Sequence, residues 1–169
     1  MTTAIFGFVG VLLGSLATLV AAIYKERVTE RRELALRDRL HDQERVTARN
    51  VFQRDSILAL QSAVTHMIGS AYAELDRLIA VERETGHWPA REWATPTAEG
   101  WSQALLDLET ARARVFDDEL RGLAGELRTR AGDSVWADSQ EKARHASQPL
   151  EPLLAAFNEV VTRTLPGFY

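Results

Sequence analysis

An uncharged run of 21 residues, from Ala4 to Tyr24, constrains this chain more than any other feature of its sequence. As an α-helix the run reaches about 31 Å, close to the ~30 Å thickness of the hydrocarbon core of a bilayer. Seven Lys and Arg residues follow between Lys25 and Arg45, and none precedes the run. We therefore expect a transmembrane anchor over residues 1–24.

A cleaved secretory signal is an alternative interpretation of this run, and a buried core helix is another. A signal peptide carries basic residues before its apolar stretch and small residues at a cleavage site after it. Only three uncharged residues precede the run, and residues 20–23 (VAAI) match a cleavage site poorly. Short flanks rich in Lys and Arg stay in the cytoplasm. A retained span is therefore favoured, with the N-terminus outside and residues 25–169 cytoplasmic.

Small residues fall near one stripe of the predicted span: Gly7, Gly10, Gly14 and Thr18, with the two central ones in a G-x-x-x-G spacing. Small side chains let two helix backbones approach closely within a membrane. Glycine is also frequent in membrane spans generally. The stripe therefore leaves two interpretations open, which are helix–helix association into a homo-oligomer and ordinary span composition.

The residues after the span, 25–54, are dense in charge and thin in apolar side chains. They contain neither Gly nor Pro and are mostly good helix formers. Their apolar residues keep no steady three-and-four spacing, so a sustained coiled coil is not expected. We expect a charged juxtamembrane stalk helix, continuous with the span.

The remaining residues, 55–169, repeat apolar side chains at intervals of three and four, which is typical of helices that pack together. The pattern contains no strand signal, so the predicted fold class is all-α, with a cytoplasmic bundle of three to four helices. The first of these helices ends near Gly86, because glycine is a natural helix stop. Its predicted core positions are Ile57, Leu60, Val64, Met67, Ile68, Ala71, Leu75, Leu78 and Ile79.

We expect the second helix of the bundle to be long, covering residues 97–130 after a proline in its first turn. Residues 132–134 (GDS) predict a break, a short helix follows near 138–146, and the last helix begins at 148–151. The predicted apolar face of the long helix consists of Trp101, Leu105, Leu108, Val115, Phe116, Leu120, Leu123 and Leu127.

The charge distribution argues against nucleic acid as a partner. Residues 56–169 hold eleven Lys and Arg against seventeen Asp and Glu, so the predicted bundle is acidic. Nucleic-acid binding needs a basic surface instead. The chain has no cysteine, which excludes disulfides and thiolate metal sites.

No arrangement of reactive side chains points to an enzyme. The spacings Asp38-x-x-His41 and Glu84-x-x-His87 mimic half of a di-iron motif, yet one lies on the stalk and the other at a helix end. Residues 117–119 (DDE) are interpreted as a solvated face. No nucleophile elbow, Walker A sequence or dinucleotide fingerprint occurs. We expect no catalytic residue, cofactor, metal or small-molecule substrate.

The loop at residues 87–96 (HWPAREWATP) is the predicted surface for a partner. Trp88, Arg91 and Trp93 are of the residue types that anchor protein interfaces. The alternative interpretation is that both indole rings fold over the end of the bundle.

The first part of the chain begins with a charge-free N-terminus and a span rich in Gly, Ala and Leu (GFVGVLLGSLATLVAAIY). A tract rich in Arg and Glu follows (KERVTERRELALRDRLHDQER). In this composition it resembles uncharacterised small single-pass membrane proteins of actinobacteria and their phages. The resemblance covers under half of the chain and implies a bacterial inner-membrane protein with a cytoplasmic helical domain. It implies no activity and no functional residue.

The sequence therefore favours a membrane-tethered interaction or scaffold protein on the cytoplasmic face, with the lipid bilayer and either a second copy or another protein as partners. Two alternatives stay open. One is an accessory subunit or spacer of a larger membrane complex. The other is a membrane-disrupting effector of the phage lysis or defence type.

Overall fold

The computed structural model describes the backbone of residues 2–89 and 96–168, and the side chains of residues 25, 37, 39–89 and 97–168. Helices account for the ordered elements in these ranges and no strand occurs in them, so the predicted all-α class is confirmed. In chain order the elements are α1 (Thr2–Thr85), α2 (Pro96–Arg112), α3 (Asp118–Val135), α4 (Gln140–Ser147), α5 (Leu150–Thr164) and a short 3₁₀ helix (Leu165–Phe168).

The chain divides into two compact units, Met1–Ala48 and Arg49–Tyr169. In the first unit every side chain that the structure describes is exposed, including Leu40 and Val46. Within the described part of the chain, no helix is long and apolar enough to cross a bilayer. The predicted span and its stripe of Gly7, Gly10, Gly14 and Thr18 lie outside the residues whose side chains are described, so both stay predictions.

The second unit, which we call the helical domain, is built around the C-terminal part of α1. Eight of the nine predicted core positions on this helix are buried, and Ile79 is half-buried. The helix ends at Thr85, and Gly86 follows with a φ of 77°. Only glycine adopts this left-handed conformation without a steric penalty, so the predicted stop at Gly86 is confirmed.

The core joins residues from α1, α2, α3 and α5. Helix α3 contributes to this core and packs against α2, α4 and α5. Its buried side chains are small or branched (Leu120, Ala124, Leu127 and Ala131), spaced at four and three along one face. This spacing is the i, i+4, i+7 pattern of a helix with one buried stripe.

The predicted long helix over residues 97–130 is wrong, because the chain leaves the helical conformation between Arg112 and Asp118. No Gly or Pro marks this break. Instead, the carboxylate of Asp117 accepts a hydrogen bond from the backbone N–H of Leu120 at 2.9 Å and caps the start of α3. A side-chain oxygen at this position satisfies one of the free N–H groups of the first turn. The DDE sequence at 117–119 is therefore a helix start, and its residues Asp118 and Glu119 are exposed, in agreement with the interpretation as a solvated face.

The predicted break at residues 132–134 is also wrong, because α3 continues through them to Val135. Ser134 is buried, and its hydroxyl donates to the carbonyl of Ala131 at 2.8 Å, which removes the cost of burying it. The boundaries expected for the last two helices agree with the structure: α4 covers Gln140–Ser147 and α5 begins at Leu150.

We expect Asp117→Ala to lower the free energy of unfolding of the helical domain by about 1 kcal/mol, because the first turn of α3 loses its cap. The measurement is urea unfolding of the full chain followed by tryptophan fluorescence. All four tryptophans (Trp88, Trp93, Trp101 and Trp136) lie in the helical domain, so the signal reports on this unit. Asp117→Asn, which keeps the accepting oxygen, is the control. Equal losses in the two variants would contradict the capping role.

Candidate protein-binding surface

Two phenylalanine rings lie beside each other on the surface of the helical domain. Phe52 stands on α1 and Phe116 in the connection between α2 and α3, with ring centroids 6.3 Å apart and planes tilted by 45°. Their exposed fractions are 48% and 56%. The guanidinium carbon of Arg49 lies 5.6 Å from the centroid of the Phe116 ring. We call Arg49, Phe52 and Phe116 the aromatic surface.

The backbone beside Phe116 is fixed by a buried side chain of α1. Gln53 is only 3% exposed. Its amide nitrogen donates to the carbonyl of Arg114 at 3.1 Å, and its amide oxygen accepts from the N–H of Phe116 at 2.9 Å. A buried amide must find such partners, since an unsatisfied polar group is costly. Gln53 therefore ties the backbone of the α2–α3 connection to α1 on both sides of Val115.

Helix capping does not explain why a phenylalanine stands at position 116. A hydrophobic residue just before an N-cap usually packs on the fourth residue of the helix, an arrangement called the hydrophobic staple. Here that fourth residue of α3 is Arg121, which is not an apolar residue, so this arrangement is not formed. Val115, in contrast, is fully buried. The connection thus inserts one apolar side chain into the core and leaves the next one at the surface.

Phe116 corrects the sequence interpretation, which placed it on a buried helix face. It is exposed because the chain is not helical at this point, so the three-and-four spacing does not apply. Phe52 was not among the predicted site residues. Two signals in the sequence could have identified the pair: Asp117 before an acidic first turn marks a helix start, and Phe52 falls outside the stripe that begins at Ile57.

The predicted partner surface is only partly within the described residues. Trp88 is half-buried, and its indole N–H donates to the carbonyl of Ala137 at 3.0 Å, which ties it to the segment between α3 and α4. Arg91 and Trp93 lie outside the described residues. The role of this loop in binding a partner stays a prediction.

Glu74 on α1 is a buried ionisable group of the helical domain. Its carboxylate makes two hydrogen bonds with the guanidinium of Arg77, at 2.7 and 3.0 Å. Burial opposes the charged form, but the hydrogen bonds from Arg77 and Thr97, together with the charge of Arg77, lower the pKa of Glu74 below its usual value. Because Thr97 belongs to α2, the carboxylate joins two helices, which is a structural role.

We expect the contribution of Glu74 to stability to depend on pH. A carboxyl group whose pKa is lowered by folding stabilises the fold fully above its usual pKa of 4.5, and this contribution is lost as the pH falls through the lower pKa. The difference in unfolding free energy between wild type and Glu74→Gln should therefore be clear at pH 7 and shrink at pH 3. Glu84→Gln, at an exposed position, is the control. A difference that is the same at both pH values would contradict the prediction.

The described residues hold no group of three or more His, Cys, Asp or Glu side chains that could bind a metal ion. An open groove between α1 and α5 is lined by Leu58, Gln61, His66 and Asn158, among others. No protein-family model matches the chain, and no curated protein or solved structure is significantly similar to it.

Proposed function

We propose that this chain is a membrane-tethered interaction protein, anchored in a bacterial inner membrane by its N-terminal span. The helical domain would bind a protein partner on the cytoplasmic face. The observation that supports this proposal is the aromatic surface, with two exposed rings beside an arginine. Aromatic residues and arginine are enriched at the centres of protein interfaces, where a few such residues supply most of the binding energy.

The rigidity of the aromatic surface favours binding. A side chain or loop that must be ordered when a complex forms reduces the affinity. The two hydrogen bonds of Gln53 already hold the α2–α3 connection, and Phe52 is carried by a helix. A partner would therefore bury two rings without first ordering the backbone that carries them.

The proposed span would also bring copies of the chain together in the membrane. Gly10 and Gly14 have the spacing that permits close approach of two helices in a membrane. Association through the span would present several aromatic surfaces on one assembly. Multiple linked sites raise the apparent affinity for a multivalent partner without any new contact.

Chemical crosslinking in native membranes tests both parts of the proposal. The comparison uses wild type, Gly10→Leu/Gly14→Leu and Phe116→Ser, with every crosslinked species identified by mass. We expect a complex with another protein that Phe116→Ser abolishes, and a homo-oligomer that the double glycine variant abolishes. Leu106→Ser is the control for Phe116→Ser, because Leu106 on α2 is similarly exposed, at 63%.

Three results would argue against the proposal. Recovery of the chain outside the membrane fraction would contradict the anchor. A complex that is unaffected by Phe116→Ser would place recognition elsewhere, as in an accessory subunit held by other surfaces. A homo-oligomer without any other protein, accompanied by loss of membrane potential on expression, would favour the membrane-disrupting effector.

A further inference from the structure

We infer that the aromatic surface recognises a partner segment in which an Asp or Glu lies within one helical turn of a large apolar side chain. The apolar side chain would pack on the rings of Phe52 and Phe116, and the carboxylate would pair with Arg49. The inference rests on the proposed function, since it names the chemistry of the partner that the helical domain would bind.

Ion pairing around the aromatic surface is unbalanced. Arg49 and Arg114 are exposed, and neither makes an ion pair with any described residue. Four carboxylates close in sequence to Phe52 and Phe116, in contrast, have partners within the domain. Asp55 pairs with Arg54, Asp117 accepts from the N–H of Leu120, Asp118 pairs with Arg121, and Glu119 pairs with Arg163.

The guanidinium of Arg49 lies over the ring of Phe116. A guanidinium over an aromatic ring is attracted by the π electrons of the ring, and its N–H groups point outward from the edge of its plane. The Arg49 guanidinium carbon lies 5.6 Å from the Phe116 centroid. This contact places the cation beside the apolar rings and leaves N–H donors for a carboxylate, which can pair with arginine through two parallel hydrogen bonds.

The acidic residues that follow Phe116 favour a carboxylate over a phosphate as the anion. Asp117, Asp118 and Glu119 lie directly after the ring in sequence. Although each is engaged, their charges would repel a dianionic phosphate more strongly than a singly charged carboxylate. The same repulsion disfavours binding of the polyanionic backbone of nucleic acids, in agreement with the acidic excess of residues 56–169. We therefore assign the surface to an acidic, apolar segment of a protein.

A double-mutant cycle with defined peptides tests this inference. A displayed library of 15-residue peptides is selected against the full chain in lipid nanodiscs. The best-bound sequence is then synthesised with its Asp or Glu intact or replaced by the matching amide. Affinities of both peptides are measured for wild type, Arg49→Gln and Arg130→Gln. Arg130 is an exposed arginine of α3 and serves as the matched control.

We expect the selected peptides to be enriched in Asp and Glu next to large apolar residues. Wild type and Arg130→Gln should bind the acidic peptide roughly fivefold more tightly than its amide, the value expected for an exposed ion pair of about 1 kcal/mol. Arg49→Gln should bind both peptides equally. Phe116→Ser should weaken both by at least about tenfold, because it removes an apolar anchor.

Each remaining outcome overturns the inference. The inference would be contradicted if the selected peptides showed no preference for Asp and Glu, or if no peptide were selected. It would also be contradicted if wild type and Arg49→Gln preferred the acidic peptide over its amide by the same factor. Self-association of the chain that Phe116→Ser abolishes would identify a second copy as the occupant instead. If crosslinking in membranes still captures a partner through Phe116, these failures leave the proposed function in place and exclude only the acidic partner.

Discussion

Replacing Phe157 with alanine is expected to lower the free energy of unfolding of the helical domain by about 3–5 kcal/mol. Phe157 on α5 is fully buried and is among the largest side chains of the core that joins α1, α2, α3 and α5. Truncation removes buried apolar surface and leaves a cavity that close-packed neighbours fill only in part. A loss of this size is a large fraction of the 5–15 kcal/mol that stabilises a typical domain.

Urea unfolding of the full chain in lipid nanodiscs, followed by tryptophan fluorescence, measures this loss. Phe157→Leu is the matched control and should cost less, since it keeps most of the apolar volume. Phe168 at the C-terminal end offers a second comparison, because it is only partly buried and Phe168→Ala should cost less than Phe157→Ala. If Phe157→Ala and Phe168→Ala had equal effects, the central place of α5 in the core would be contradicted.

The second large effect is expected for Gln53→Leu, which should destabilise the helical domain by about 2 kcal/mol and abolish partner binding. Leucine has a similar volume but makes neither of the two hydrogen bonds to the α2–α3 connection, each worth about 1 kcal/mol. The carbonyl of Arg114 and the N–H of Phe116 would lose their partner. The connection would then be free to move, and the aromatic surface would lose its fixed geometry.

Gln61→Leu is the matched control for this prediction. Gln61 lies on the same helix, and its amide donates to the side chain of Asn158 on α5 at 2.9 Å. That bond joins two half-buried side chains and fixes no backbone, so its loss should cost less than 1 kcal/mol and leave binding unchanged. The role of Gln53 would be contradicted if Gln53→Leu bound the selected peptides as tightly as Gln61→Leu did.

The helices of the domain were predictable wherever apolar spacing and local stop signals agree. The stripe from Ile57 to Leu78 continues over six turns, and Gly86 ends it by a conformation that only glycine adopts readily. The start of α5 followed from prolines that only a first turn tolerates. At these helix boundaries the conformational preference of glycine or proline determines the structure, and the packing of the core is consistent with it.

The break between α2 and α3 was not predictable from the same rules, because it depends on a tertiary contact. Residues 113–117 contain neither Gly nor Pro, and their apolar spacing continues that of a helix. What replaces the lost helical hydrogen bonds is the side chain of Gln53, more than 60 residues earlier in the chain. The error at residues 132–134 has a different, local cause, since the hydroxyl of Ser134 donates to the carbonyl of Ala131 within α3 and is thereby accepted in the core.

The sequence did not identify the aromatic surface as a candidate site. It predicted a partner surface at Trp88, Arg91 and Trp93, of which Trp88 donates a hydrogen bond to the carbonyl of Ala137, and that surface stays a prediction. The aromatic surface depends on the conformation of the α2–α3 connection. Because that conformation is set by Gln53, the exposed position of Phe116 could not follow from spacing alone.

Site-specific photo-crosslinking from position 116 tests the central claim most directly. A photoreactive phenylalanine analogue replaces Phe116 in the full chain in native membranes, and the same analogue at Leu106 is the control. We predict one protein crosslinked from position 116, none from position 106, and loss of the product when Gln53→Leu is added. No product from position 116, or the same products from both positions, would contradict the claim that this surface binds a partner.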